Sequence, residues 1–390
     1  FFMVPKVKRW ADAVKGLTTG DLFEARFDRR TGTIAAVVIG LAWFTFVGGQ
    51  IIAGAKLVQV TMGVDLTLAV IASGAIVLAY TAMGGLKAVI FTDVFQMVVL
   101  MVGIVFIAVP IGLIEVGGWE GIVAHFESDP ETASMVEWGA AGWGTIAEWF
   151  FAVFPVWFIS IAGMQRIIAA RDEKTARRSF LLTGVPIEWP LFAIGSTLIG
   201  MIARMLLPEI TDPEMATPMI ILELLPSGIA GIVIAAYVAA VMSSADSMLM
   251  GPVVIFVNDI YRKRLKPEAS DRELVRVARI AVIVFGILAI GLAYRVPNVL
   301  ELILYAYTFG AAGLFFPMLG LLFWQRTTAK GAYWSMLCGG GSAVIWSLAG
   351  EPFGLASSYM GWIIGLPVMV IVSLLTEHSP DENRMLFYSE

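Results

Sequence analysis

AAVMSSADSMLM, residues 239–250, sits inside a run from Leu224 to Val257 that contains no Lys, Arg or Glu and a single Asp. A helix needs about twenty predominantly apolar residues to cross a hydrocarbon layer. The run meets that need, so the polar residues at its centre, Ser243, Ser244, Asp246 and Ser247, are the ones that require a reason. The rest of the chain supplies the context. Of 390 residues, 58% are apolar and only 15% charged, and the mean hydropathy of +0.83 is far above that of a soluble domain. Apolar runs of similar length recur throughout, too long and too weakly alternating for the strands of a membrane barrel. The sequence therefore describes an all-α, polytopic helix bundle embedded in a lipid bilayer.

The runs predict ten helices, near 34–57, 68–83, 90–114, 147–168, 180–206, 217–257, 275–294, 299–324, 331–349 and 357–376. They form a single transmembrane domain over 1–376, with a short cytoplasmic tail at 377–390. Gly84 and Gly85 are placed to form a tight turn between the second and third. The 217–257 run is longer than a bilayer requires and must tilt or extend beyond it. FFMVPKVKR, residues 1–9, lacks a signal-peptide pattern. It reads as the last apolar turn of a helix and its basic flank, which implies sequence ahead of Phe1. With the first loop on the cytoplasmic side, most Lys and Arg fall on that side and only Lys56, Arg204 and Arg295 fall toward the other, the bias expected of an oriented membrane protein. The loop from Glu115 to Glu148 is acidic and contains no Lys or Arg. It either raises local cation concentration or is simply a solvated outer loop.

Other classes of function find no support in the residues. The lone Cys338 excludes a disulfide framework, and His125 and His378 fall in predicted loops, which gives no metal cluster and no cofactor. No nucleophile is paired with a base, so the chain does not read as an enzyme. RDEKTARR (171–178) and YRKRLKPEASDRELVR (261–276) suit loops beside anionic lipid and not nucleic acid. No obligate protein partner is evident.

Helical spacing puts Ala240, Ser243, Ser244 and Ser247 on one stripe. A carbonyl and hydroxyls on such a stripe are hard oxygen ligands for a small cation, and Asp246 adds charge nearby. The plainer alternative is that the serines bond back to the preceding turn or aid helix packing. In YTAMGGLKAVIFTDVFQ (80–96), Asp93 is a second intramembrane acid, either an ion ligand or relay, or a cap for free amides at a helix start. Pro155 and Gly163, in EWFFAVFPVWFISIAGMQR (148–166), mark an interrupted or kinked helix. Gly310 and Gly313, in YTFGAAGLFFP (307–317), suit close helix contact or a gate.

Taken together, four stretches resemble the sodium:solute symporter family, which includes proline, pantothenate, sugar and sialic acid transporters. They are LFEARFDRRTG (22–32), YTAMGGLKAVIFTDVFQ, MQRIIAARDEKTARR (164–178) and LPSGIAGIVIAAYVAAVMSSADSMLMGPVVIFVNDIYR (225–262). The likeness runs from about Pro5 to Thr376. It implies a leucine-transporter-like inverted-repeat fold, here an N-terminally truncated member lacking its first helices, with core helices three to ten followed by two peripheral ones.

The resemblance further implies sodium as the coupling ion, held by the Ala240 carbonyl and the hydroxyls of Ser243 and Ser244. A second sodium position matches Asp93, Asp246 and Ser247, with the departure that such members can have serine where this chain has Asp246. Solute contacts implied in the same way are Trp43, Phe46, Gln50, Phe151, Phe154, Trp157, Gln165, Glu188, Trp189, Tyr305 and Thr308. The expected function is sodium-coupled symport of a small polar organic solute by alternating access, in a multi-pass plasma (inner) membrane protein with a cytoplasmic C-terminus. The alternatives are a proton-coupled carrier using Asp93 or Asp246, and a membrane sensor that binds solute without moving it.

Overall fold

The structure, a computed structural model, describes residues 2–14, 16, 18–137, 139–377 and 387–388; within these, the side chains at 80, 83–93, 188 and 189 lie outside the description. All regular elements among the described residues are helical. In α1 (Met3–Val14), Met3, Val4, Val7, Trp10 and Ala11 recur at helical spacing and are buried as one face. A capping box starts α2 (Thr19–Arg26), with Thr18 and Asp21 each accepting the other's amide. Asp28 caps α3 (Arg29–Met62), and Gly63 ends it at a left-handed φ of 65°, a conformation glycine adopts without a Cβ clash.

Helix α4 (Leu66–Met101) passes through a π-helical stretch, Val102–Ala108, into α5 (Val109–Glu115). The expected turn at Gly84–Gly85 does not interrupt it. Glycine permits a tight turn without requiring one, and no proline between 66 and 101 removes an amide. After α6 (Gly118–Glu127), the pass expected over 147–168 is built in three pieces, α7 (Trp143–Val153), α8 (Val156–Ile159) and α9 (Ile161–Ala169). Next, α10 (Glu173–Thr183) continues through the π-helical Gly184–Ala193, which contains Pro190, into α11 (Ile194–Leu206).

The run expected as one helix over 217–257 is two, α12 (Ala216–Leu224) and α13 (Ser227–Ile255). This correction has a local cause. Pro226 disfavours helical backbone in the residue before it, and Leu225 is extended at φ −100°, ψ 142°. Helix α13 then extends as a π-helical stretch, Phe256–Leu265. The chain ends with α14 (Asp271–Arg295), α15 (Val299–Phe323), α16 (Ala329–Leu348) and α17 (Leu366–Leu375).

Among the described residues, eight helical stretches are long and apolar enough to cross a membrane, against the ten expected. Leu66–Ala79 is apolar but shorter, and α16 forms where 331–349 was expected without being one of the eight. Part of the expected tail is docked: Phe387 is buried, and the Tyr388 hydroxyl donates to the Leu321 carbonyl at 2.9 Å. Lys6 of α1 donates to the neighbouring Leu322 carbonyl at 2.8 Å. Burial and the nearby Arg9 hold its ammonium below the usual lysine pKa.

Helix α3 is the central pillar, packing on α2, α4, α13, α14 and α15. It contributes to three apolar clusters. Ile39 joins one with α1, α2, α8, α9 and α15, whereas Ile51 and Ile52 join a second with α4, α13 and α14. Leu57 joins the third, which holds Ile122 of α6, Ile202 of α11 and Ile220 and Ile221 of α12. Between helices in a bilayer, close packing supplies attraction that water exclusion does not. Small residues serve this end at the α15–α16 contact, where a Cβ on Gly340 would stand 3.4 Å from the Gly313 Cα.

Candidate ion and solute site

The stripe predicted on α13 is present. Ala240, Ser243, Ser244 and Ser247 are half-buried, and Asp246 is 1% exposed. The Ser243 hydroxyl donates to the Ala240 carbonyl at 3.1 Å, so two oxygens assigned to an ion already lie side by side on an intact helix. Oxygens at that separation suit neighbouring ligands of a hard cation, each roughly 2.3–2.6 Å from the ion by analogy with calcium sites. The bond is also the back-bond that serine makes in any helix. One rotation of the hydroxyl exchanges the two uses. Asp246 is a carboxylate deep within a membrane helix, a placement that is costly without a function or a partner. The Asp93 side chain lies outside the described residues.

Further along α13 the same helical face reaches a small cleft. Gly251, Val254 and Ile255 line it with Ile161, Met164 and Gln165 of α9 and with Thr18 and Thr19 at the start of α2. Gln165, one of the expected solute contacts, lines this cleft.

The other expected contacts divide into groups. Trp43 and Phe46, on the buried side of α3, have ring centroids 5.4 Å apart, and Phe46 stacks on Tyr307 of α15 at 5.8 Å. Gln50 and Thr308 are half-buried, one on α3 and the other next to Tyr307 on α15. The Trp43 indole N–H is a buried donor with no acceptor among the described residues. Trp43, Phe46, Gln50 and Thr308 thus lie on α3 and α15, which pack against each other. Tyr307, an aromatic that could serve as an interfacial anchor or stack on solute, joins them; it lies between Tyr305 and Thr308 and shares the i, i+3 face with Gly310.

Several candidates face elsewhere. Phe151 packs edge-on against Tyr359 and Trp362, ahead of α17. Phe154 stacks on Phe150, Trp157 is exposed, and the Tyr305 hydroxyl donates to Glu301 on its own helix at 2.7 Å. The Glu188 and Trp189 side chains lie outside the described residues. The helix break predicted from Pro155 and Gly163 is centred on Ser160, whose φ −57°, ψ 118° is non-helical and whose hydroxyl accepts the Gly163 amide at 3.1 Å. Serine ahead of an apolar turn is a helix-start signal, and it would have located the break.

A polar network closes the end of the bundle where α2 meets the extension of α13. Lys263 pairs with Asp21 at 2.5 Å, Glu24 at 2.9 Å and Asp259 at 3.3 Å, and the Thr18 hydroxyl donates to Asp259 at 3.1 Å. Thr18 also borders the cleft, so this network adjoins it.

The model of the sodium:solute symporter family matches residues 2–339. Among relatives, the chain is 30% identical to the high-affinity proline transporter PutP of Bacillus subtilis (strain 168), over 96% of this chain and 80% of that protein. It is 29% identical to the sodium/pantothenate symporter of Haemophilus influenzae, over 95% of this chain and 77% of that protein. Its fold is similar to the substrate-bound outward-open state of a Na+-coupled sialic acid symporter, with a TM-score of 0.72 at 24% identity, covering 97% of this chain and 84% of that one. The architecture is thus the leucine-transporter-like one.

Proposed function

Because the chain belongs to the sodium:solute symporter family, a family of sodium-coupled membrane transporters, we propose that it carries a small polar organic solute through the α3–α15 wall by alternating access, driven by sodium bound at Ala240, Ser243 and Ser244. The observation that carries this reading is the pair of oxygens on α13, the Ser243 hydroxyl and the Ala240 carbonyl, 3.1 Å apart on a half-buried face that leads to a cleft. Asp246 and Ser247, together with Asp93, form a second sodium position in this reading. The end of the bundle carrying Lys263 faces the cytoplasm of a plasma (inner) membrane protein, and the end carrying Lys56 faces outward.

Sodium that binds from outside favours the outward-open state and raises solute affinity, and linkage makes the reverse hold equally. An inward-negative potential adds about 2.3 kcal/mol per charge per 100 mV. The buried indole N–H of Trp43 and the rings of Phe46 and Tyr307 suit a solute with a hydrogen-bond acceptor and an apolar body. The solutes for which the relatives are named, proline and pantothenate, belong to the panel to be tried.

The test is accumulation of that panel by the purified protein in proteoliposomes, with an inward sodium gradient and after an ionophore collapses it. Sodium-gradient-dependent accumulation of one solute supports the reading. Accumulation that follows a proton gradient and ignores sodium contradicts it and transfers the coupling role to the aspartates. Sodium-dependent binding without accumulation makes the protein a sensor.

A further inference from the structure

Several basic side chains of the molecule are matched by acids. Lys263 has three. On α10, Arg177 pairs with Glu173 at 2.6 Å, and just ahead of it Arg171, 90% exposed, stands 4.0 Å from Asp172. Arg29 and Arg264 differ. Both are exposed, and among the described residues neither has a carboxylate within ion-pair distance. Each is nonetheless held in place. Arg29 Nη2 donates to the Lys263 carbonyl, and Arg264 Nη2 donates to the Arg29 carbonyl at 3.2 Å and to the Thr33 hydroxyl.

The first turn of α3 and the extension of α13 are thereby cross-tied, and both guanidiniums line one small pocket with Gly32, Thr33 and Lys263. The two acids of that pocket, Glu24 and Asp259, are already engaged by Lys263. A guanidinium has five donors in a planar fork, so most of each fork remains for a further acceptor. Two like charges held side by side repel. An anion between them offsets that repulsion and accepts from both forks.

The level of the pair in the bilayer identifies the anion. Arg29 is the first residue of the membrane-crossing stretch Arg29–Met62, and Arg264 is the last but one of Ser227–Leu265. Both stretches leave the hydrocarbon at this end, where lipid phosphates lie and where basic pockets between spans take anionic headgroups. From Arg29, one face of α3 continues at helical spacing through Thr33, Val37, Leu41 and Phe44. None of these four is buried, and Leu41 is 52% exposed. An apolar surface therefore runs from the guanidiniums toward the bilayer centre, as the chains of a lipid run from its head.

We propose that Arg29 and Arg264 clamp the phosphodiester of an anionic phospholipid, whose acyl chains lie along Val37, Leu41 and Phe44. The lipid then joins α3, which carries Trp43 and Phe46, to α13, which carries the serine stripe, from outside the bundle. The site requires only that α3 and α13 cross a bilayer, so it stands or falls apart from the transport reading.

The test uses the purified full chain in detergent and follows its thermal midpoint as phosphatidylglycerol is titrated in. The same titration is made with phosphatidylcholine and with inorganic phosphate. Arg29→Gln, Arg264→Gln and the double variant are compared with the parent and with a control, Arg171→Gln with Lys174→Gln, at the exposed start of α10. The clamp predicts that phosphatidylglycerol raises the midpoint of parent and control alike. Half-maximal stabilisation should need about fivefold more lipid in either single variant and about twenty-fivefold more in the double. Phosphatidylcholine and inorganic phosphate should have little effect. Should the double variant fold poorly, the unmutated parent still decides the matter: phosphatidylglycerol with a photoreactive acyl chain should label the segment from Val37 to Phe44. Equal stabilisation of parent and double variant, an equal effect of phosphatidylcholine, or label absent from that segment overturns the clamp. Stabilisation by inorganic phosphate as large as by phosphatidylglycerol makes this a free-anion site and overturns the lipid.

Discussion

The two charged networks, one around Lys56 and one around Lys263, look alike in composition and differ in what they join. Each is a lysine among acids. Lys263 is one-third exposed and ties α2 to the extension of α13, elements that also share direct packing through α3. Lys56 is buried, its two acids, Asp212 and Glu214, are partly exposed, and the segment that carries them also packs on α3. Around Lys263 the arrangement is reversed, with a partly exposed lysine that water and salt screen and one buried acid, Asp259. In each network the buried charge is the one that is costly to leave without its partner. The serine stripe of α13 is the third kind of polar group: among the described residues, the Ser243 hydroxyl bonds within its own turn, and the proposed ion would take that bond's place.

The largest effect separates the stripe from both lysine networks. Replacing Ser243 and Ser244 together by Ala removes the two hydroxyls proposed to bind the ion without adding bulk. The apparent sodium affinity in uptake assays should fall by tenfold or more, about 1.4 kcal/mol or above, with little loss of thermal stability. An unchanged sodium titration would mean that the serines only pack. Next comes Lys56→Met, which should destabilise the purified protein by about 3 kcal/mol, read as a large fall in thermal midpoint in detergent. If that midpoint matches the parent, the charge is not held as the structure places it.

Ser160→Ala tests the break between α8 and α9. It removes the oxygen that accepts the Gly163 amide and should cost about 1 kcal/mol by loss of an N-cap, whereas Ser160→Asn should retain most of the stability. Lys263→Met should cost less than Lys56→Met because its ammonium is already one-third exposed, with part of the cost coming from the buried Asp259 that it leaves without a cation. High concentrations of choline chloride should shrink the difference between Lys263→Met and the parent and leave that for Lys56→Met largely intact. Equal responses of the two variants to salt would erase the distinction between the two ends.

The sequence made some of this legible and hid the rest for identifiable reasons. Runs of apolar residues gave α3, α14, α15 and α17 because length and composition alone decide a membrane helix. The stripe on α13 was readable because it depends on spacing within one helix. Pro226 was the missed signal in the 217–257 run, and Ser160 in the interrupted pass, both local features overshadowed by apolar context. Gly84 and Gly85 suggested a turn that the backbone does not take, since freedom to turn is no instruction to do so.

Contacts across the sequence were less accessible. Lys56 was visible as a lone cation in an apolar helix, but its partners lie 156 and 158 positions away, and no local pattern specifies them. The expected solute contacts show the same limit. Phe46, beside Trp43, stacks on Tyr307 of α15, while Phe151, on a helix of equally suitable composition, packs on Trp362. Residue type nominates such side chains, and only the packing of helices sorts them.

The central claim is that the oxygens of α13 bind the ion that drives solute accumulation. Its most direct measurement is the sodium dependence of solute uptake in proteoliposomes, for the parent and the Ser243→Ala, Ser244→Ala double variant, each with and without an ionophore that dissipates the gradient. The predicted result is accumulation by the parent that vanishes with the sodium gradient, and a double variant that needs at least tenfold more sodium for half-maximal rate. Accumulation with identical sodium dependence in both proteins would contradict the claim and leave the serines of AAVMSSADSMLM with packing alone.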